Sequence, residues 1–170
     1  MQRQREMCFH ILSIHLSSIL TMLSRQKQNY SSFLTSAQGK FSNLICISGD
    51  LGKILQKERK FTEERARMYT AEILLALEDL HKRDIIYRDL KPDNVVLDED
   101  GHAQLTDFGL SKEGVLEGAK GAKSFCGSVA YLAPEMLRRV GHGKSVDWYL
   151  LGVLLYEMVV GCPPYFSPKK

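Results

Sequence analysis

The residues Tyr87-Arg88-Asp89-Leu90-Lys91-Pro92-Asp93-Asn94 and, shortly after them, Asp107-Phe108-Gly109 crowd carboxylates, a carboxamide and a lysine into one stretch of chain. Oxygen donors of this kind suit magnesium, which takes few protein ligands and fills the rest of its octahedral shell with water and phosphate. A lysine beside them can neutralise a phosphoryl group in transit, and a carboxylate left free of metal can orient a hydroxyl nucleophile. Phosphoryl transfer is therefore the chemistry these groups can perform together. Taken singly, Asp107-Phe108-Gly109 is only a turn and Asp93-Asn94 only a loop cap.

For the groups to converge, the chain between them must fold back. Val95-Val96-Leu97 and Ala103-Gln104-Leu105-Thr106 are β-prone runs around the polar turn Asp98-Glu99-Asp100-Gly101, which predicts a hairpin that brings its own two ends together. Ile85-Ile86-Tyr87 reads as a short buried strand. Upstream, residues 50–57 read as a short helix, and Thr62 followed by Glu63 and Glu64 is a helix start with a cap and acids in the positively polarised first turn. Ala66, Tyr69, Ile73, Leu77 and Leu80 then recur at helical spacing, predicting a long core helix that ends near His81. Downstream of a polar loop over residues 111–123, the apolar run 145–160 predicts a buried helix stopped by Gly161 and Pro163-Pro164.

The catalytic-loop pattern, the hairpin, Asp107-Phe108-Gly109 and Ala133-Pro134-Glu135 occur in the order of the protein-kinase signature set. From Asp50 to Phe166 the chain resembles the lower lobe of a eukaryotic serine/threonine protein kinase. It is most similar to the AGC group, which holds the cyclic-nucleotide-dependent and phospholipid-dependent kinases. Tyr87 in place of the commoner His, Leu90-Lys91-Pro92-Asp93-Asn94, and Ser124-Phe125-Cys126-Gly127-Ser128 ahead of Tyr131-Leu132-Ala133-Pro134-Glu135 carry that likeness. The resemblance implies an α+β fold, a mainly helical lobe with short β-hairpins, acting on ATP and Mg2+. It assigns Asp89 as catalytic base, Lys91 to the transferring phosphate with Ser128 helping to orient the substrate hydroxyl, Asn94 and Asp107 to magnesium, and Asp50 to the nucleotide. Ser124 falls where activating phosphorylation by an upstream kinase is expected, with Arg88 reading the added charge. Asp50, Asp93 and Glu157 match acidic positions that select protein substrates with Arg or Lys upstream of the target Ser or Thr, although Ala130 stands where a relative often carries an acid. Glu135 is expected to pair with a distant Arg. A buried Asp147 is expected to accept hydrogen bonds from the catalytic-loop backbone, the alternative being a helix-start cap.

The 170 residues are 44% hydrophobic and 25% charged, ordinary for a globular domain, and the formal charge of +3 is too small to argue for nucleic acid or an anionic membrane. Cys8, Cys46, Cys126 and Cys162 lack the spacing of a zinc site or a disulfide framework, which points to an intracellular, cytoplasmic setting. Residues 7–23 superficially resemble a signal peptide behind a basic start, but His10, His15 and several serines interrupt them. Membrane anchoring or secretion would require this segment to partition into membranes when fused to a soluble reporter.

Two domains follow: an atypical segment 1–49, disordered or mistranslated, and a partial kinase domain 50–170. Residues 7–49 contain no Asp or Glu and show no periodicity, and no Gly-rich phosphate loop, strand lysine or helix glutamate precedes Asp50. An upper lobe largely missing implies poor activity of the chain alone, and leaves a non-catalytic pseudokinase or regulatory binding fragment as the alternative. The opening has a coding explanation. Residues 20–25 can be encoded so that a shifted frame reads His-Tyr-Ala-Phe-Gln, and residues 33–39 so that it reads Leu-Asp-Phe-Cys-Pro-Gly, sequences that resemble kinase upper-lobe strands and hinge. Gly39-Lys40-Phe41 can conceal a splice-donor-like GTAAG. Sequencing the transcript is expected to show an alternative reading of residues 1–47; a message that encodes them as written, with no other splice form, overturns the explanation.

Overall fold

In the computed structural model of the chain, residues 49–116, 121–122 and 126–165 are described; the expectations for residues 1–48, for Ser124 and for Phe166 lie outside them. Among the described residues there are four α-helices and one two-stranded antiparallel sheet, in the order α1, Leu51–Glu58; α2, Glu63–Lys82; β1, Val95–Leu97; β2, Ala103–Leu105; α3, Pro134–Leu137; α4, Ser145–Val160.

Local chemistry sets these boundaries. The Asp50 carboxylate accepts from Lys53 N at 2.8 Å and caps α1, while Thr62 caps α2 with Glu63 and Glu64 in its first turn. The stripe Ala66, Tyr69, Ile73 and Leu77 is buried, with Leu80 partly so, and α2 packs against both α4 and β2. α4 has no polar face to speak of: Val146, Leu150, Leu151, Leu154, Leu155 and Met158 lie buried around its axis, so it runs through the core rather than over it. The single-turn α3 was not anticipated; Pro134 at its first position is preset for a helix start and lacks the N–H that would go unpaired there.

β1 and β2 form the expected hairpin and pair in the register Val95 with Leu105 and Leu97 with Ala103. The strand expected at Ile85-Ile86-Tyr87 is not formed as such. Only Ile86 pairs, exchanging both backbone hydrogen bonds with Lys112 at 2.9 Å, because the next two backbone N–H groups are captured by a side chain. The loop beyond Ser111 is not wholly polar in its packing: Val115 is buried with Ile86 and Ala122 in a small separate cluster. No helix of the described residues is long and apolar enough to cross a membrane. Leu116, Val140 and Trp148 are exposed apolar side chains around one open cavity.

Gly161 ends α4 in the left-handed region (φ 93°), and a Cβ there would lie 2.5 Å from the Arg59 carbonyl oxygen. Gly161→Ala is therefore expected to lower the unfolding free energy, read from the urea midpoint, by more than the ~1–2 kcal/mol of the left-handed backbone alone. An unchanged midpoint would show that the end of α4 is not held against the α1–α2 connection.

Candidate active site

The catalytic loop hangs from one buried carboxylate. Asp147, in the first turn of α4 and fully buried, accepts from Tyr87 N at 2.9 Å and Arg88 N at 2.8 Å, and His81 Nε2 donates to it from the end of α2 at 2.7 Å. The expected backbone contacts are thus present and the alternative, a helix cap, is not: Lys144 occupies the cap position. Arg88 takes a left-handed backbone (φ 71°), a strained conformation for a non-glycine residue, which two hydrogen bonds to one rigid carboxylate can hold.

This anchoring sets Asp89 at the mouth of the loop. Asp89 is 5% exposed; its Oδ2 accepts from Asn94 Nδ2 at 2.8 Å and lies 3.1 Å from Lys91 Nζ. Asn94 Nδ2 also donates to the Asp89 carbonyl at 2.8 Å. Oδ1 faces Gly127, where an added Cβ would stand 3.4 Å away, so bare backbone and no side chain of that residue lies against the oxygen. Ser128 follows Gly127 in the chain and is exposed.

The hairpin returns the chain to the same place. Thr106 N donates to the Asn94 carbonyl at 3.0 Å, so Asp107 follows directly on the residue paired with Asn94. Asp107 is exposed and left-handed (φ 54°), its carboxylate accepting from Gly109 N at 3.2 Å. Both Nδ2 hydrogens of Asn94 are committed to Asp89, which leaves its amide oxygen, with the Asp107 carboxylate, as the oxygen donors available to a hard cation. Among the described residues no three His, Cys, Asp or Glu side chains cluster as a metal cage. Two oxygen donors at one mouth fit magnesium shared with phosphate and water, and do not fit a closed structural site.

The sequence marks Tyr87 as a substitution and as part of a buried strand, but not its hydroxyl contact. Its hydroxyl donates to the Thr106 carbonyl, its ring meets Phe108 edge-on at 5.4 Å, and it is fully buried. Burial, then the charges of Asp89 and Asp107, push its phenol well above the ordinary tyrosine value, so it remains a donor. Arg88 Nε donates to the Leu110 carbonyl at 2.7 Å, tying the catalytic loop to the turn after Asp107. His81 was likewise missed; a histidine at the end of an amphipathic helix carries no sequence signal of the carboxylate it meets.

The acidic positions lie on a neighbouring face. A Cβ at Gly52 would fall 2.9 Å from Asp93 Oδ1 and 3.2 Å from Asp50 Oδ1, so these carboxylates face a common point. Although partial burial works against it, hydrogen bonds and the ion pair from Lys53 hold the Asp50 carboxyl below its usual range. Glu157 accepts from the Tyr131 hydroxyl at 2.7 Å; burial raises its carboxyl, the hydrogen bond opposes this, and the charge of Asp93 adds to the rise. Glu135 is half-buried and lines the open cavity with Trp148 and His142.

Comparison with known proteins places these features in one family. The family described as "Protein kinase domain" matches residues 21–170. The chain is 55% identical over 119 residues to a RAC family serine/threonine-protein kinase homolog of Dictyostelium discoideum, covering 70% of this chain and 27% of that protein. The same identity over 119 residues relates it to the RAC-beta serine/threonine-protein kinase of Homo sapiens, of which 24% is covered, and to serine/threonine-protein kinase YPK1 of Saccharomyces cerevisiae, of which 17% is covered. The chain thus spans about a quarter or less of the curated relatives it matches.

Removing the Tyr87 hydroxyl leaves the Thr106 carbonyl without its donor. Tyr87→Phe is expected to cost about 1–3 kcal/mol of stability and to loosen Asp107. Urea unfolding, with the Asp107 and Gly109 amide shifts in a magnesium titration, reads both effects; a variant with wild-type stability and an unchanged titration contradicts the role given to the hydroxyl.

Proposed function

This chain belongs to the protein kinase family, within the AGC serine/threonine kinases, and from that membership we propose that its site transfers the γ-phosphate of Mg-ATP to Ser or Thr hydroxyls of proteins. The observation that carries the proposal is the convergence of Asp89, Lys91, Asn94 and Thr106-Asp107 at one mouth, with one Asp89 oxygen engaged and the other facing the bare backbone of Gly127. Asn94 and Asp107 would hold magnesium, which when bound neutralises phosphate charge. The Asp89 carboxylate accepts the proton of the attacking hydroxyl, Lys91 shields the phosphate oxygens, and Ser128 borders the channel by which the hydroxyl enters. Asp50 is assigned to the nucleotide at the edge of the same face.

Substrate choice follows from charge. The charge of Asp93 adds to the rise of the Glu157 carboxyl that burial causes, and Asp50 and Asp93 face a common point, so a guanidinium or ammonium upstream of the target residue would meet a concentration of negative charge. Protein substrates with basic residues ahead of the Ser or Thr are the fit. For regulation, we assign Ser124 to an upstream kinase and Arg88 to the reading of its phosphate; the chain ahead of Ser124 is held by the pairing of Ala122 with His142. We place the protein inside the cell, where ATP and such substrates occur.

The described residues contain no Gly-rich phosphate loop and no strand lysine, so full activity is assigned to the site joined to an upper lobe that supplies them. In that form, transfer to a peptide with Arg upstream of Ser is expected to exceed transfer to one with Glu there. Asp89→Asn is expected to cut the rate by about 10²–10⁴-fold. Silence of the completed protein, with magnesium-nucleotide binding retained, would favour the binding-fragment alternative.

A further inference from the structure

The hairpin that ends in Asn94 and Asp107 is fastened to α2 by a contact outside the mouth. Glu72, on α2, is 1% exposed, an unusual burial for a carboxylate. Its Oε2 accepts from Ala103 N at 2.7 Å, and its Oε1 lies 2.6 Å from His102 Nδ1. His102 itself is half-exposed at the start of β2, and its own N–H donates to Asp98 Oδ1 at 2.8 Å. The groups facing the imidazole are Glu72 from α2 and Asp98 and Asp100 from the turn, all acids.

We infer that Glu72 and His102 are a pH-responsive positioning pair: protonated His102 clamps the hairpin to α2 and so steadies Asn94 and Asp107, and loss of that proton relaxes them. The consequence for the mouth rests on the magnesium reading above; the clamp itself does not. Its physical basis is the placement of one buried carboxylate between a backbone N–H that never titrates and an imidazole that does. Hydrogen bonding to Glu72 comes first, ahead of the opposing partial burial, in raising the imidazole above its ordinary value. The sign follows: the clamp is complete below the unfolded histidine value of about 6.5 and is lost as pH rises through the raised folded value. His102 being half-exposed, the effect is modest.

Hydrogen exchange of the 170-residue chain decides the inference. Protection of the hairpin amides, Ala103 foremost, corrected for intrinsic rates and referred to α4, is expected to fall about two- to fivefold as pH rises from below to above the histidine range. His102→Gln should abolish that pH step while leaving the fold intact. Glu72→Gln should abolish it and lower Ala103 protection at every pH. An equal pH step in wild type and His102→Gln, or no step in wild type, overturns the clamp. Mn2+ affinity, followed by its relaxation of nearby protons, is expected to weaken across the same step in wild type but not in His102→Gln. Asp107→Asn tests the metal reading separately: if it leaves Mn2+ affinity unchanged, the magnesium assignment fails while the exchange comparison still decides the clamp.

Discussion

A carboxylate sealed from water is costly unless its lone pairs are met, and Asp147 meets that condition by gathering donors from two distant stretches of chain. Two are the backbone N–H groups of Tyr87 and Arg88, and the third is His81 at the end of α2. The apolar helix α4 is packed into the core over most of its surface, so the carboxylate is a fixed point. The catalytic loop takes its strained turn at Arg88 because that point is fixed. Asp89, Lys91 and Asn94 inherit their positions from this anchor.

The second constraint is the hairpin. Its register returns Thr106 to the Asn94 carbonyl, and the Tyr87 hydroxyl holds the Thr106 carbonyl from the other side. The loop anchored by Asp147 therefore also fixes where Asp107 leaves the sheet. Acidic residues serve three distinct ends within this small region. Asp147 and Glu72 are buried and structural, Asp89 is half-engaged, and Asp93 and Asp107 are exposed. Burial and donor count separate these roles more sharply than residue type does.

The local signals read well from the sequence. Thr62 with two acids behind it, the Ala66-to-Leu77 stripe, the turn ending in Gly101 and the stop at Gly161 are short-range rules, and the elements begin and end within a residue or two of them. The site motifs were legible because order along the chain survives folding. What did not read was long-range hydrogen bonding. Ile85-Ile86-Tyr87 has strand composition, yet its ladder stops after Ile86 because Asp147, far along the chain, takes the Arg88 N–H that the next rung would need. His81, the Tyr87 hydroxyl and the Glu72 contact with His102 were silent for the same reason: each depends on a partner in another element. The one-turn helix at Pro134 was hidden by its brevity, since four residues carry no periodicity.

The dependence of the catalytic loop on Asp147 is tested most directly by amide exchange at Tyr87 and Arg88 in Asp147→Asn. This substitution keeps the side chain's volume while replacing an acceptor by a donor that must face an N–H. Protection of those two amides is expected to fall about tenfold or more relative to the α2 core, the equivalent of ~1.4 kcal/mol or more of local opening. Protection that stays at the wild-type level, with the rest of the fold intact, would mean that something other than the buried carboxylate holds the loop.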